Sequence, residues 1–134
     1  MSWNGVKKQS YEQEIKSWCE EMGIEKYTIN SKGEIDVEGS VSLDRRDFKE
    51  LPYKFGRVNG WFDMDYCKNL ISLKNCPKYV GGDFGCDHCP KLDSLEGCPQ
   101  EVGGEFFCRF CKRKFTEEEV RSLCEVDVRC LIYN

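Results

Sequence analysis

Apolar and glycine positions recur along this chain with a period of 22 residues, in segments that begin at Val58, Val80 and Val102. The matching positions include Gly60, Gly82 and Gly104; Phe62, Phe84 and Phe106; Met64, Cys86 and Cys108; Cys67, Cys89 and Cys111; Leu70 and Leu92; and Leu73 and Leu95. A weaker copy, one residue short, precedes them in residues 37–57. Repetition at this period is typical of a solenoid, and it predicts about four coils.

Each coil is predicted to contain one short strand, and successive strands stack into a short parallel sheet. Because strand residues alternate between faces, we expect Phe84 and Cys86 to point inward. The outward positions of the same coil are Asp83, Gly85 and Asp87. Gly-Gly pairs at 81–82 and 103–104 predict a tight turn into each strand. Since this pattern fits part of the consensus L-x-x-L-x-L-x-x-N/C-x-L, we predict an α/β repeat, a small leucine-rich-repeat-like solenoid.

The flanking segments are predicted to cap the solenoid. Residues 10–22 have apolar positions at helical spacing, with Ser10 starting a capping box and Gly23 ending the helix. A hairpin is predicted around Ser31–Gly33. Thr116 and Glu119 predict a capping box that opens a second helix over Val120, Leu123 and Cys124, and the tail is read as a last strand. The predicted organisation is a cap at 1–36, a solenoid at 37–115 and a helical cap with tail at 116–134.

Composition narrows the class of protein. The chain has 134 residues, a net charge of -4 and a pI of about 5.2, which does not favour global attraction to nucleic acid or anionic lipid. The sequence has no apolar run long enough to span a membrane, and it starts with polar residues that do not resemble a secretory signal. We therefore expect a cytoplasmic protein whose ten cysteines are reduced.

Three phrases carry a resemblance to a known family. They are VGGDFGCDHCPKLDSLEGCP, LPYKFGRVNGWFDMD and the earlier MGIEKYTINSKGEIDVEGSVSL. These resemble the short leucine-rich-repeat proteins encoded by tailed bacteriophages and some bacteria, over roughly residues 11 to 115. Family members often carry Asn where this chain has Cys89 or Cys111, and many have more coils. The resemblance implies the fold and a phage or bacterial setting, and it implies no particular activity.

The cysteines allow two main interpretations. Cys86-x-x-Cys89 and Cys108-x-x-Cys111 have the spacing of a structural zinc site. The repeat offers another account, because the two pairs are one coil apart and Met64 and Cys67 occupy the same positions one coil earlier. Small buried thiols pack well inside narrow coils. We favour this core ladder, with no cofactor, and keep zinc as the alternative and a disulfide as a third reading.

The outward face of the strands is the candidate binding surface. The residues predicted to bind a partner are Trp61, Asp63, Asp65, Asp87, Glu105, Phe107 and Arg109. Aromatic side chains supply anchoring area and charged side chains supply specificity, as in protein-binding surfaces. The competing interpretation is a solvated face on which Trp61 and Phe107 pack against the cap helix.

Catalysis has little support, because the chain has one histidine, His88, and no convincing triad. Asp63, Asp65 and Asp87 are acids that would bind a divalent cation only in a less favoured reading. We predict a non-enzymatic protein-interaction module, a monomer or weak homo-oligomer, that is phage-encoded and binds a bacterial defence protein to inhibit or redirect it. The alternative is a zinc-stabilised module that contacts nucleic acid through its basic 109–114 segment.

Overall fold

A computed structural model describes residues 5–126 and 130–131. The chain forms a β-solenoid of about four coils with a repeat near 22 residues, together with two helices. The helices are α1 (Gly5–Met22) and α2 (Glu117–Leu123). The strands are β1 (Tyr27–Ile29), β2 (Ile35–Val37), β3 (Val41–Ser42), β4 (Phe55–Val58), β5 (Phe62–Asp63), β6 (Tyr79–Val80), β7 (Phe84–Gly85), β8 (Glu101–Val102), β9 (Phe106–Phe107), β10 (Glu125–Val126) and β11 (Cys130–Leu131).

The strands form two sheets, so each coil contributes two strands rather than the one predicted. A six-stranded sheet has the order β1-β2-β4-β6-β8-β10, and a five-stranded sheet has the order β11-β9-β7-β5-β3. All described pairings are parallel except the β1–β2 hairpin. The prediction missed the second strand because in the later coils it is only two residues long, such as half-buried Tyr79 and buried Val80, before the glycine turn.

The repeat phase sets the register of the five-stranded sheet. Phe62 pairs with Phe84, and Phe84 pairs with Phe106. The backbone N–H of each inward residue donates to a carbonyl of the next coil, as Cys86 does to the Phe107 oxygen at 2.8 Å. The weaker first copy joins the same ladder, because Val41 pairs with Phe62. The hydrogen-bond ladder therefore connects all four copies of the repeat, although the first copy matches the pattern less well.

A row of phenylalanine rings forms the centre of the core. Phe62 and Phe84 have ring centroids 6.2 Å apart, and Phe84 and Phe106 are 5.0 Å apart. The leucines that turn the coils are also buried: Leu70, Leu73, Leu92 and Leu95. The predicted inward direction of Phe84 and Cys86 is confirmed, since both are fully buried.

The glycine pairs lie at the corner between the two strands of a coil, as the predicted turn requires. Their role is close approach of neighbouring coils rather than a left-handed backbone, because neither pair has a positive φ. The Gly104 N–H donates to the Gly82 oxygen at 3.0 Å. A Cβ atom on Gly104 would lie 2.9 Å from the carbonyl carbon and oxygen of Gly82. Only glycine fits where two coils meet this closely.

The first helix begins earlier than predicted. It starts at Gly5, so Ser10 lies inside the helix and the predicted capping box there is wrong. The predicted stop at Gly23 is confirmed: Gly23 has φ 74°, and the Ile24 N–H donates to the Cys19 oxygen at 2.8 Å. This arrangement is a Schellman motif. Ile15 and Cys19 are buried in the core, which fixes α1 against the first coil.

The second helix has the predicted capping box. The Thr116 hydroxyl accepts from the Glu119 N–H at 3.1 Å, and Glu119 Oε1 accepts from the Thr116 N–H at 3.2 Å. Val120 and Cys124 are buried as predicted, but Leu123 is 46% exposed, because it lies on the solvent side of this short helix. Within the described residues, neither helix is long and apolar enough to cross a lipid bilayer.

The tail enters both sheets. Glu125–Val126 pairs with β8, and Cys130–Leu131 pairs with β9, so the predicted last strand is present at 130–131. The remaining parts of that predicted strand, residues 127–129 and 132–134, lie outside the described residues, as do residues 1–4 of the predicted N-terminal cap.

The glycine corner leads to a matched pair of substitutions. Gly104→Ala should destabilise the protein by about 1–3 kcal/mol, since the added methyl group overlaps the backbone of the preceding coil. Gly39→Ala, at the same repeat position in the first coil, should have little effect because nothing lies within 4 Å of its Cβ position. Urea unfolding measures both. Equal stability of the two variants would contradict this account of the corner.

Candidate functional site

The outward side chains of the five-stranded sheet form three columns across three coils. Read along the solenoid axis, the columns are Trp61, Asp83 and Glu105; Asp63, Gly85 and Phe107; and Asp65, Asp87 and Arg109. The middle position of the middle column is Gly85, which has no side chain. The neighbouring side chains therefore surround an open space on the strand face.

This space is a depression of about 290 Å³, which we call the Gly85 notch. It is lined by Trp61, Phe62, Asp63, Asp65, Asp83, Gly85, Asp87, Phe107 and Arg109. All the residues predicted to bind a partner line it except Glu105, which lies at the C-terminal end of the first column. Asp83 also lines the notch, although it was not among the predicted residues. Its place in the same column as Trp61 is the signal that would have found it.

Two acids of the third column form hydrogen bonds to the backbone of the next coil. Asp65 Oδ1 accepts from the Asp87 N–H at 2.8 Å, and Asp87 Oδ1 accepts from the Arg109 N–H at 2.6 Å. In both cases a side chain of one coil accepts from the backbone of the next coil. Each of these backbone N–H groups thereby has a hydrogen-bond acceptor, which a backbone group shielded from water requires. Asp65 and Asp87 therefore stabilise the solenoid as well as lining the notch.

Asp87 was predicted to face solvent, but it is only 5% exposed. Arg109 covers it: Nη2 of Arg109 lies 2.8 Å from Asp87 Oδ2, and Nε lies 3.2 Å from the same oxygen. Ion pairs of this kind are strong because two N–H groups converge on one carboxylate. The two side chains therefore form a fixed, closed wall of the notch.

Trp61 forms the opposite wall and is 54% exposed. The helix α1 packs on the first coil through Ile15 and Cys19, with Trp18 against Tyr53 and Phe55, and Trp61 is not among these contacts. Phe107 is half-buried, and the Arg109 guanidinium lies over its ring at 5.2 Å. The two aromatic walls thus differ, since Phe107 is already covered and Trp61 is open.

Three carboxyl groups meet at the N-terminal side of the notch. Asp44, Asp63 and Asp65 are joined by side-chain hydrogen bonds. Burial, followed by the hydrogen bond to Asp63 and the charge of that group, raises the pKa of Asp44 to about 6. Burial also raises the pKa of Asp63 and of Asp65. Asp44 was missed in the sequence, although it precedes Asp65 and Asp87 in the same column.

A column of stacked rings follows the third column. Tyr66 and His88 have ring centroids 4.5 Å apart, as do His88 and Phe110, and the Arg45 guanidinium lies 4.4 Å from the Tyr66 centroid. All four residues have φ between 56° and 61°. Non-glycine residues rarely adopt this left-handed conformation, which costs about 1–2 kcal/mol each. Stacking offsets this cost, and it gives His88 a packing role.

Three thiols form a hydrogen-bonded ladder inside the solenoid. The Sγ atoms of Cys67, Cys89 and Cys111 donate to the carbonyl oxygens of Leu43, Met64 and Cys86 at 3.3, 3.3 and 3.2 Å. Each thiol thereby pairs a backbone acceptor of the preceding coil that would otherwise be unsatisfied. This ladder is the role that the repeat predicted for these positions in preference to a metal site.

The geometry gives the zinc alternative no support. Among residues 5–126 and 130–131, no three His, Cys, Asp or Glu side chains are placed to hold a metal ion. Burial holds the pKa of Cys89 far above its ordinary value. The hydrogen bond between Cys86 and Cys111 raises the pKa of Cys86 and lowers that of Cys111. The thiols of Cys86 and Cys111 therefore form hydrogen bonds to each other and to backbone carbonyl oxygens.

The basic segment 109–114 is largely neutralised by acids of the same chain. Arg109 pairs with Asp87, as described above. Lys112 Nζ lies 3.9 Å from Asp93, and Arg113 lies 2.7 Å from Glu119. A phosphate backbone would have to compete with these carboxylates. The predicted nucleic-acid contact through this segment is therefore weakened by the charges around it.

Comparisons with models of known protein families, with curated proteins and with solved structures found no match. The resemblance to phage leucine-rich-repeat proteins consequently stays a prediction from the residues. The β-solenoid itself does not depend on that resemblance, because the strand pairing establishes it.

The buried pair generates a stability prediction. Arg109→Met should destabilise the protein by about 2–3 kcal/mol, because it leaves the Asp87 carboxylate buried without its partner. The added change Asp87→Asn should recover part of that loss. It removes the unpaired charge, and its side-chain oxygen can still accept from the backbone N–H of residue 109. Urea unfolding at pH 7 measures each variant.

Lys68→Met serves as the control, because Lys68 forms an exposed pair with Asp47 at 3.9 Å. Such pairs contribute at most about 1 kcal/mol. If Arg109→Met were no more destabilising than Lys68→Met, the ion pair would not have the structural role assigned to it.

Asp44 generates a prediction on pH. Its pKa is raised from 3.8 to about 6, so between these values the folded state binds more protons than the unfolded state. Stability from this group is therefore present below about pH 4 and is lost as the pH rises through 6. We expect Asp44→Asn to reduce the fall in Tm between pH 4 and 7.5, measured by circular dichroism. Asp47→Asn, which removes an exposed acid 3.9 Å from Lys68, should keep the wild-type profile. A wild-type profile for Asp44→Asn would refute the assignment.

Proposed function

We propose that this protein is a non-enzymatic binding module that recognises a protein partner through the face of its five-stranded sheet. The observation that carries the proposal is the convergence of exposed Trp61 and charged side chains on one notch. Large aromatic side chains dominate the energetics of protein interfaces when a partner covers them. A half-exposed tryptophan beside a depression is an anchor of that kind.

The charged residues around Trp61 support specificity. Asp63, Asp83 and the Asp87–Arg109 pair lie at fixed positions, because hydrogen bonds to the backbone or to each other hold them. Groups held in place before binding lose little conformational freedom when a partner arrives. The face thus combines one open anchor with preorganised charges.

The setting of this proposal comes from the resemblance of residues 11 to 115 to short leucine-rich-repeat proteins of tailed phages and bacteria. On that basis we propose a leucine-rich-repeat-like module, capped by its two helices, that acts in the bacterial cytoplasm. Its partner would be a host protein, such as a defence component, that it inhibits or redirects.

The test is a pull-down of the tagged protein from bacterial lysate, with and without nuclease, followed by identification and titration of the retained protein. We expect a host protein that nuclease does not release and whose affinity falls at least about tenfold with Trp61→Ala, which corresponds to 1.4 kcal/mol. Phe107→Ala should weaken binding less, because Arg109 already covers that ring.

Ile71→Ala is the matched control, since Ile71 is 50% exposed but belongs to a different face. Full affinity of Trp61→Ala, with loss of binding in Ile71→Ala, would move the binding surface away from the notch. Recovery of only nuclease-sensitive material would favour the alternative of a nucleic-acid contact through residues 109–114.

A further inference from the structure

The Gly85 notch exists because one side chain is missing from a regular array. In the middle column, Asp63 precedes Gly85 and Phe107 follows it. A Cβ atom on Gly85 would lie 3.0 Å from Asp65 Oδ1 and 3.3 Å from Asp63 Oδ1, and the three atoms nearest to it all belong to these two side chains. Two carboxylate oxygens therefore approach the floor of the notch from one side. A single methyl group would cover that floor.

The notch has a strong excess of negative charge. Four carboxyl groups and one guanidinium line it: Asp63, Asp65, Asp83, Asp87 and Arg109. The guanidinium is already committed to Asp87. Asp63 and Asp65 are half-buried in the notch, and a positive charge placed beside them would favour their ionised forms. The uncompensated charge lies on the Trp61 side of the notch.

The chain itself shows how this surface binds a cation. The Arg109 guanidinium lies over the Phe107 ring and donates two hydrogen bonds to Asp87. On the other wall, an aromatic ring and a carboxylate also line the notch together, those of Trp61 and Asp63. In the part of the chain that the structure describes, no cation lies over Trp61. One half of the notch is thus filled by an internal arginine, and the matching half is open.

We propose that the open half of the Gly85 notch binds an arginine side chain of the protein partner, with its guanidinium against Trp61 and its N–H groups directed at Asp63 and Asp65. This inference rests on the proposed function, and it specifies the chemistry by which the partner is recognised. The partner therefore presents an exposed arginine on a segment that fits a flat strand face.

A guanidinium fits this site better than other cations. Among residues 5–126 and 130–131, no three acidic side chains are placed to hold a metal ion. A lysine ammonium offers a point charge, whereas a planar guanidinium stacks on an indole and donates several hydrogen bonds in fixed directions. The notch supplies both a ring and carboxylate oxygens, which is the combination that Arg109 uses.

The experiment titrates the isotope-labelled full-length protein with N-acetyl-arginine methylamide and follows amide and indole NMR signals. The matched compounds are the citrulline analogue, which has the same shape without the charge, and the lysine analogue. We expect saturable shifts at the Gly85 amide and the Trp61 indole with the arginine compound, weaker binding of the lysine compound and none of the citrulline compound. Gly85→Ala should weaken arginine binding about tenfold or more, because the methyl group covers the floor.

Asp63→Asn provides a second variant should the alanine at position 85 disturb the fold, which the dispersion of the spectrum reports. It should also weaken arginine binding, whereas Asp93→Asn, outside the notch, should not. Citrulline or lysine binding equal to that of arginine would overturn the proposal, as would arginine shifts that Gly85→Ala and Asp63→Asn leave unchanged.

The proposal can fail separately from the binding function. If the captured partner requires Trp61 but binds Gly85→Ala and Asp63→Asn with full affinity, the protein-binding face stands and the arginine site is wrong. If the arginine compound binds the notch as described while no protein partner depends on Trp61, the site stands and the proposed function is wrong.

Discussion

The hydrogen bonds between successive coils are the constraint on which the rest of this structure depends. Inward residues such as Cys86 donate to the carbonyl oxygens of the next coil, so every coil must keep the same phase as its neighbour. This phase brings the phenylalanine rings into contact, aligns the glycines at the corner and places the thiols opposite backbone carbonyls. It also sets the outward columns, because a residue that faces inward in one coil fixes which of its neighbours face outward. The Gly85 notch follows from these columns, because Gly85 adds no side chain at its position in the middle column.

Much of the fold was accessible from the sequence, because a repeat constrains many positions at once. The phase predicted which residues point inward, and it placed Cys89 and Cys111 in a ladder of thiols, whose hydrogen bonds the structure shows. Local chemistry also sufficed at Gly23 and Thr116, where the predicted helix end and capping box are present. The same phase brought six of the seven predicted binding residues to one depression.

Other features depend on neighbours that no local pattern reveals. The second strand of each coil is too short to show alternation, and it exists because the adjacent coils pair with it. Ser10 has the local pattern of a helix start, but the helix continues through it to Gly5. The burial of Asp87 depends on Arg109 in the next coil, and the raised pKa of Asp44 depends on Asp63 in the next coil. Alignment of the first copy with its successors would have placed Asp44 in the acidic column.

The column of stacked rings has a mechanical consequence. Its centroid spacing of 4.5 Å is close to the separation of about 4.8 Å between paired strands, so the rings touch along the edge of the solenoid. Bending the solenoid toward this edge would compress the rings of Tyr66, His88 and Phe110, and bending it away would separate them. The stacked rings therefore make this edge of the solenoid, beside the strand face, resistant to bending. A rigid face presents its contact points at constant spacing, which suits the recognition of a partner of fixed shape.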